Sequence, residues 1–232
     1  MTLLYPTQES LREFAGNFDN WIFFALIITF PSLICKWLGG DVEVFWLGCR
    51  KHILELRLKW FCQAVVGVSK DPGSALFRRF QVQFTTLEDG FTKENLLRLD
   101  LTNKPEWILE LARDTLQWAE ELYMGQVFDR DDYHESLGWL IWHLGGTPER
   151  FFPVKMPGAD DESRWMAKTI YYPKIFACSF LFPLSSKELQ DSIEITEFFC
   201  LFYGRPWFEA AIASKAARSD LQFMAHMMHY YR

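Results

Sequence analysis

Cys49 and His52 stand three residues apart in the stretch Phe45-Trp-Leu-Gly-Cys49-Arg-Lys-His52-Ile-Leu-Glu-Leu56. On a helix this spacing puts a thiol and an imidazole on one face. Together they form half of a tetrahedral zinc site, or a nucleophile with an adjacent base. A structural zinc site needs two more ligands. The other candidates, Cys35, Cys62, His134, His143, Cys178, Cys200, His226 and His229, supply no second tight pair beside the first. A Cys–His dyad needs a third group to orient the base, and none is identifiable. Cys49 and His52 are therefore weak metal candidates. The expectation is a small buried thiol and a hydrogen-bonded imidazole at a strand-to-helix junction, with no catalytic residue and no cofactor assigned.

Two other stretches invite chemistry. Asp129-Arg-Asp-Asp-Tyr-His-Glu135 gathers three aspartates, a histidine and a glutamate within seven residues. A hard cation would need further oxygen ligands converging from elsewhere. Asp132-x-x-Glu135, just before the apolar run 137–144, has the spacing of a helix capping box, and that reading is preferred. Arg164-Trp165 follows the acids Asp160, Asp161 and Glu162. Those acids suit a helix N-terminus, leaving Trp165 to be buried and Arg164 paired at the surface.

The elements that would position these residues are mostly helical. From about Arg50 the periodicity is that of a helix, with Ile53, Leu56, Trp60, Ala64 and Gly67 on one stripe. The turn Asp71–Ser74 leads to a short segment over 75–82. Residues 83–104 read as a polar surface connection with one short helix, 92–99. Pro105 starts a long helix over 105–124, with Trp107, Ile108, Leu111, Thr115, Trp118 and Leu122 at helical spacing. Gly145-Gly146 closes the next helix. A helix over 160–172 is expected to kink or break at Pro173. Ser185-Ser-Lys-Glu188 is a second capping box, opening a helix to Tyr203 with Leu189, Ile193, Phe199 and Phe202 inward. Segments 207–217 and 219–231 complete the chain, where Met224, Met227 and Met228 are expected to pack. The fold class is mainly α, a multi-helix domain with at most a small strand element at 42–47. Residues 1–40 form an apolar lead-in and 41–232 the helical domain, with a loose boundary at 83–104.

Bulk composition narrows the function classes. Half of the 232 residues are hydrophobic, with 22 Phe and 10 Trp, enough for a sizeable core. The net charge of −6 lacks the cationic surplus that displaces counterions from DNA or RNA, so autonomous nucleic-acid binding is disfavoured. The five cysteines are odd in number and scattered, which fits reduced thiols and an intracellular, nuclear or cytoplasmic, protein. Trp21–Cys35 is uncharged for fifteen residues and continues to Leu38. A membrane span needs about 20 apolar residues, and Pro31 interrupts this run, so a buried element is favoured over a membrane anchor at 21–38.

The ordered series Lys36-Trp-Leu-Gly-Gly, Trp46-Leu-Gly-Cys49-Arg-Lys-His52, Ser74-Ala-Leu-Phe-Arg-Arg-Phe80, Arg130-Asp-Asp-Tyr133, Pro157-Gly-Ala159, Arg164-Trp-Met-Ala-Lys168 and Trp207-Phe208 resembles transposase-like proteins of animal DNA transposable elements. It is also similar, more distantly, to the hAT superfamily, in which a C-x-x-H stretch and a helical insertion with an Arg-Trp pair follow one another. The resemblance makes Cys49, His52, Arg164 and Trp165 family-motif residues and implies an RNase H-like origin. Such transposases cleave DNA with three separated carboxylates holding two divalent metals. No such set is identifiable here, because Glu9, Glu13, Asp19 and Asp41 match no catalytic motif and no closing glutamate can be assigned. The resemblance therefore implies a truncated, catalytically incomplete helical part. Its expected action is protein–protein contact, with a second copy or another protein as partner. The alternatives are a membrane-associated protein anchored by 21–38 and a zinc-stabilised helical protein.

Overall fold

The computed structural model describes residues 50–67, 75–125, 128, 131–148, 154–157 and 166–230. The helices are α1 (Arg50–Val66), α2 (Ala75–Leu87), α3 (Glu106–Gly125), α4 (Asp131–His143), α5 (Met166–Ala177), α6 (Ser186–Phe198), a short α7 (Gly204–Phe208) and α8 (Ala216–Tyr230). No strand occurs among the described residues, and the fold is mainly α. The expected strand at 42–47 and the apolar lead-in 1–40 lie outside the described residues.

Helix α5 is the axis of the packing. Every residue from Ala167 to Ala177 is buried, including Lys168, Thr169 and Lys174. A helix apolar on all sides must be enclosed by its neighbours, and α1, α2, α4 and α6 all pack against α5. Pro173 does not break it; the helix continues through the proline to Ala177. Aromatic side chains fill the space around it. Phe77 of α2 meets Tyr171 at 4.0 Å between ring centroids. Phe80 sits edge-on to Phe84 and to Phe182. Phe61 of α1 stacks on Phe198 of α6 at 3.8 Å.

Helix α1 turns a different face inward from the expected one. Its buried line is Leu54, Leu58 and Cys62, four apart, while Ile53, Leu56 and Trp60 are half-buried and Ala64 and Gly67 are exposed. Apolar residues occur on all sides of this helix, so periodicity alone does not choose between the two stripes. Residues 83–104 also differ from expectation. Helix α2 runs on to Leu87, no helix forms over 92–99, and Phe84, Phe91, Leu96 and Leu99 are buried in the common core. Tertiary bonds hold the segment in non-helical form. The Leu97 amide donates to the Ala177 carbonyl at 2.8 Å, and the Trp142 indole donates to the Leu97 carbonyl at 2.9 Å.

Helix ends follow local chemistry. Helix α4 closes with Gly145 at φ +104, its amide on the Trp142 carbonyl and that of Gly146 on the Ile141 carbonyl. That is the double bond pattern of a glycine-terminated helix. The Ser185 hydroxyl accepts from the Glu188 amide at 3.3 Å, and the Ser185 amide donates to the Glu188 carboxylate at 2.8 Å, so the expected capping box is present. Ser185→Ala is expected to lower stability by about 1 kcal/mol. Urea unfolding checks this, and an unchanged midpoint would contradict it.

Helix α6 widens into a π-helical turn, Phe199–Tyr203, in which all five side chains are buried. Gly204 follows because a Cβ there would stand 2.6 Å from Leu140 Cδ1 and 3.0 Å from the Phe199 carbonyl. The expected inward residues Phe199 and Phe202 are buried, and Leu189 and Ile193 pack half-buried against the core.

Candidate functional site

The expected motif residues do not assemble into a described site. Cys49, Arg164 and Trp165 lie outside the described residues. His52 is exposed in the first turn of α1. Among the described residues no group of three or more His, Cys, Asp or Glu side chains could hold a metal ion.

Of the acid-rich stretch 129–135, the described residues 131–135 do not converge on one point. Helix α4 begins at Asp131, so Asp132 lies inside the first turn rather than at its cap. His134 stacks on Tyr123 at 4.0 Å. Glu135 points inward to a partner that spacing alone did not reveal. At the other end of the chain, the ring of His229 sits edge-on to Trp107 at 4.5 Å. The imidazole of His226 is held below its usual range by partial burial and by His229.

The interior holds an enclosed ion pair. Lys174 on α5 is fully enclosed, with 0% of its side chain exposed, and forms an ion pair with Glu135 on α4, which is 13% exposed. The Lys174 ammonium also donates to the Lys155 carbonyl at 2.9 Å. The Trp139 indole donates to Glu135 Oε1 at 3.3 Å. Burial pulls the Lys174 ammonium below its ordinary range, while the Glu135 carboxylate works against that shift.

One helical turn on, His143 is buried between Trp139 and Phe176, stacked on Phe176 at 5.4 Å. Its Nε2 lies 3.0 Å from the Pro173 carbonyl. A carbonyl only accepts, so Nε2 carries the proton. Nδ1 is buried without a hydrogen-bond partner. A second proton would have to go there, and burial holds this imidazole down at about 3, with Arg98 adding to the effect.

A buried lysine with a depressed pKa is a general signature of catalytic bases and Schiff-base lysines. Here the geometry is that of a closed structural network instead. Both oxygen partners of Lys174 come from the protein, and the side chain has no exposed surface. The described cysteines are similarly inert. Cys62, Cys178 and Cys200 are free and buried. Burial pushes the Cys62 thiol up to about 12 and raises the other two well above the ordinary range, whereas thiolate chemistry needs a lowered value.

Helix α8 presents apolar side chains outward. Ser219 and Phe223 bury the inner side of this helix. Both its ends are pinned. Arg50, at the start of α1, donates to the Ala216 carbonyl at 3.3 Å, the Ala210 carbonyl at 3.1 Å and Asp220 Oδ1 at 3.2 Å. At the far end the Tyr230 hydroxyl donates to Glu197 Oε1 at 2.7 Å, and Lys104 Nζ pairs with the same oxygen at 2.6 Å. Between these anchors Leu221, Met224 and Met228 project into solvent at 72%, 47% and 55% exposure. Their spacing of three and four places them on one face. Of the three methionines expected to pack, only Met227 does so.

No described helix is long and apolar enough to cross a membrane; residues 21–38 lie outside the described residues. Comparison of the chain with protein-family models, curated proteins and solved structures finds no match.

Proposed function

We propose that this chain is a catalytically incomplete, transposase-derived helical domain that acts through protein contact, with a second copy of itself as the partner. The observation that carries the contact reading is the outward stripe Leu221–Met224–Met228 on a helix anchored at both ends. Scattered apolar side chains on a surface need no explanation, but three in register on one rigid face form a contact strip. The strip is self-complementary. An antiparallel pairing of two α8 helices about Met224 and Ala225 sets Leu221 of each copy against Met228 of the other, as a two-fold interface requires.

Support for the absence of catalysis comes from where the resembling residues fall. Ala167, Lys168 and Tyr171, from the segment that follows Arg164-Trp165, are buried in α5 and build the core. Lys174 and Glu135, the enclosed ion pair, are committed to each other. The acidic balance also disfavours direct contact with a phosphate backbone.

Light scattering over a concentration series tests the contact. The chain is expected to self-associate, and Leu221→Asp to weaken that association by at least about tenfold, since a charge buried in an apolar contact has no partner. A chain monomeric at all concentrations removes the second copy as partner. Incubation with DNA and Mg²⁺ or Mn²⁺ tests the other half. No metal-dependent cleavage is expected, and cleavage abolished by one Asp or Glu substitution would overturn the reading.

A further inference from the structure

We propose that His226 and His229, near the end of α8, form a two-imidazole site for a divalent transition ion of the Cu²⁺, Ni²⁺ and Zn²⁺ group. The proposal goes beyond the contact reading and does not depend on it. Three observations carry it. The first is placement. The two residues are three apart on one helix, which puts their Cβ atoms about 5–6 Å apart on the same side of it. Two imidazoles at that separation can close on one ion at bonds of about 2.0–2.1 Å. The same spacing, with a glutamate and a histidine as the pair, presents ligands to a shared metal in helical bundles.

The second is a shared support. Both rings lie against one indole, Trp107 of α3, with His229 edge-on at 4.5 Å between ring centroids and His226 tilted at 6.5 Å. The next residue, Tyr230, is fixed by its hydroxyl bond to Glu197 and by its ring contact with Phe202. The two ligands therefore stand on a backbone already held in place, and less conformational freedom is left to lose when an ion binds.

The third is that the lone pairs are available. Neither ring has a hydrogen-bond partner among the described residues, and both are open to solvent, His229 more than His226. The other paired or enclosed imidazoles are differently committed. His143 is buried and bonded to the Pro173 carbonyl, and His134 is stacked on Tyr123. Partial burial and His229 also hold the His226 imidazole below its ordinary range, which favours the neutral form that binds a metal. Two protein ligands leave the remaining coordination positions to water. Such a site differs from the closed four-ligand zinc centre of a structural domain and suits an ion that exchanges. Within this group of ions Cu²⁺ binds imidazole most tightly.

Titration with Cu²⁺ tests the site. The whole chain carries Cys35→Ser and Cys49→Ser, so that only the buried thiols Cys62, Cys178 and Cys200 remain. One equivalent is expected to bind and to quench part of the tryptophan emission, a part that Trp107→Phe removes. His226→Gln and His229→Gln are each expected to weaken binding at least about tenfold, because a chelate that loses one arm loses the high effective concentration of the other. Pulsed electron paramagnetic resonance is expected to count two imidazole nitrogens on the ion in the parent and one in either variant. Unchanged affinity in both variants overturns the proposal and places the ion elsewhere. A loss in only one of them also overturns it, since that describes a single surface imidazole, and so does binding without a fixed stoichiometry. Should His226→Gln unfold the chain, as read by circular dichroism, the more exposed His229→Gln decides. Two imidazole nitrogens in the parent and one in this variant support the site, and any other count overturns it. Failure of self-association in light scattering leaves the titration result standing, so the two readings fail separately.

Discussion

Glu135→Ala is expected to destabilise the chain by about 3–5 kcal/mol, because it strands a fully enclosed ammonium. The loss exceeds the value of the pair itself. In the intact network the Glu135 carboxylate and the Lys155 carbonyl compensate Lys174 for its lost water. Without Glu135 only a neutral carbonyl remains, and the lysine must either stay charged in an apolar surround or release its proton on folding. The second course gives a pH signature. The folded variant holds the Lys174 proton more weakly than the unfolded chain, whose lysine titrates near its ordinary 10.5. Between the two pKa values the unfolded state binds more protons, so the stability of the variant rises as pH rises toward 10.5. Replacing both partners, Glu135→Leu with Lys174→Met, is expected to restore most of the loss, since an apolar pair of similar volume carries no desolvation penalty. Denaturant midpoints of the single and double variants make the comparison. Equal losses in both would show that packing, not an orphaned charge, sets the cost.

The second large effect is acid sensitivity through His143. Its imidazole titrates at about 3 in the fold against an ordinary 6.5. The unfolded chain takes up the proton first as pH falls. The stability contributed by the neutral ring is therefore complete above pH 6.5 and is lost progressively as pH falls toward 3. The slope from this one group is about 1.4 kcal/mol per pH unit inside the window. The total is on the order of 4–5 kcal/mol, a large share of an ordinary folding free energy. His143→Gln keeps an N–H donor for the Pro173 carbonyl and removes the titration. The variant is expected to be somewhat less stable at neutral pH and to show a flatter loss toward pH 4, measured by urea unfolding across the pH range. A profile as steep as that of the unchanged chain would assign the acid sensitivity to other groups. Burial is the main reason for the shift, and a proton added at Nδ1 would find no hydrogen-bond acceptor there.

These two groups also show what was legible in the sequence. Ser185 and Glu188 could be paired from spacing alone, because a capping box is a bond between residues three apart and local geometry dictates it. The same spacing at Asp132 and Glu135 misled, since a carboxylate that satisfies a local pattern is equally free to turn inward. Glu135 meets Lys174, 39 positions further along (174 − 135), and nothing local encodes that distance. His143 and Pro173 are likewise 30 positions apart. The helical class was readable because the apolar periodicity is repeated in segment after segment. The inward face of α1 was not, because Leu54, Leu58 and Cys62 compete with Ile53, Leu56 and Trp60 and only the neighbours of α1 decide between them. The segment 92–99 lost its expected helix to two long-range bonds at Leu97. As for the candidate site, the strip on α8 was not legible, since Met224 and Met228 were expected to pack; their outward direction depends on where Phe223 and Ser219 find their cover.

The complete enclosure of α5 has a consequence for the order in which the molecule acquires its structure. An isolated helix of this length is marginal in water, and its burial supplies most of its stability. Helices α1, α2 and α4 precede α5 in the chain, yet the surfaces they turn toward one another are lined for a helix not yet made. During synthesis those apolar surfaces stay open to the surroundings until α5 and α6, both later in the chain, leave the ribosome. The interval is one in which unpaired apolar surface favours aggregation or chaperone binding.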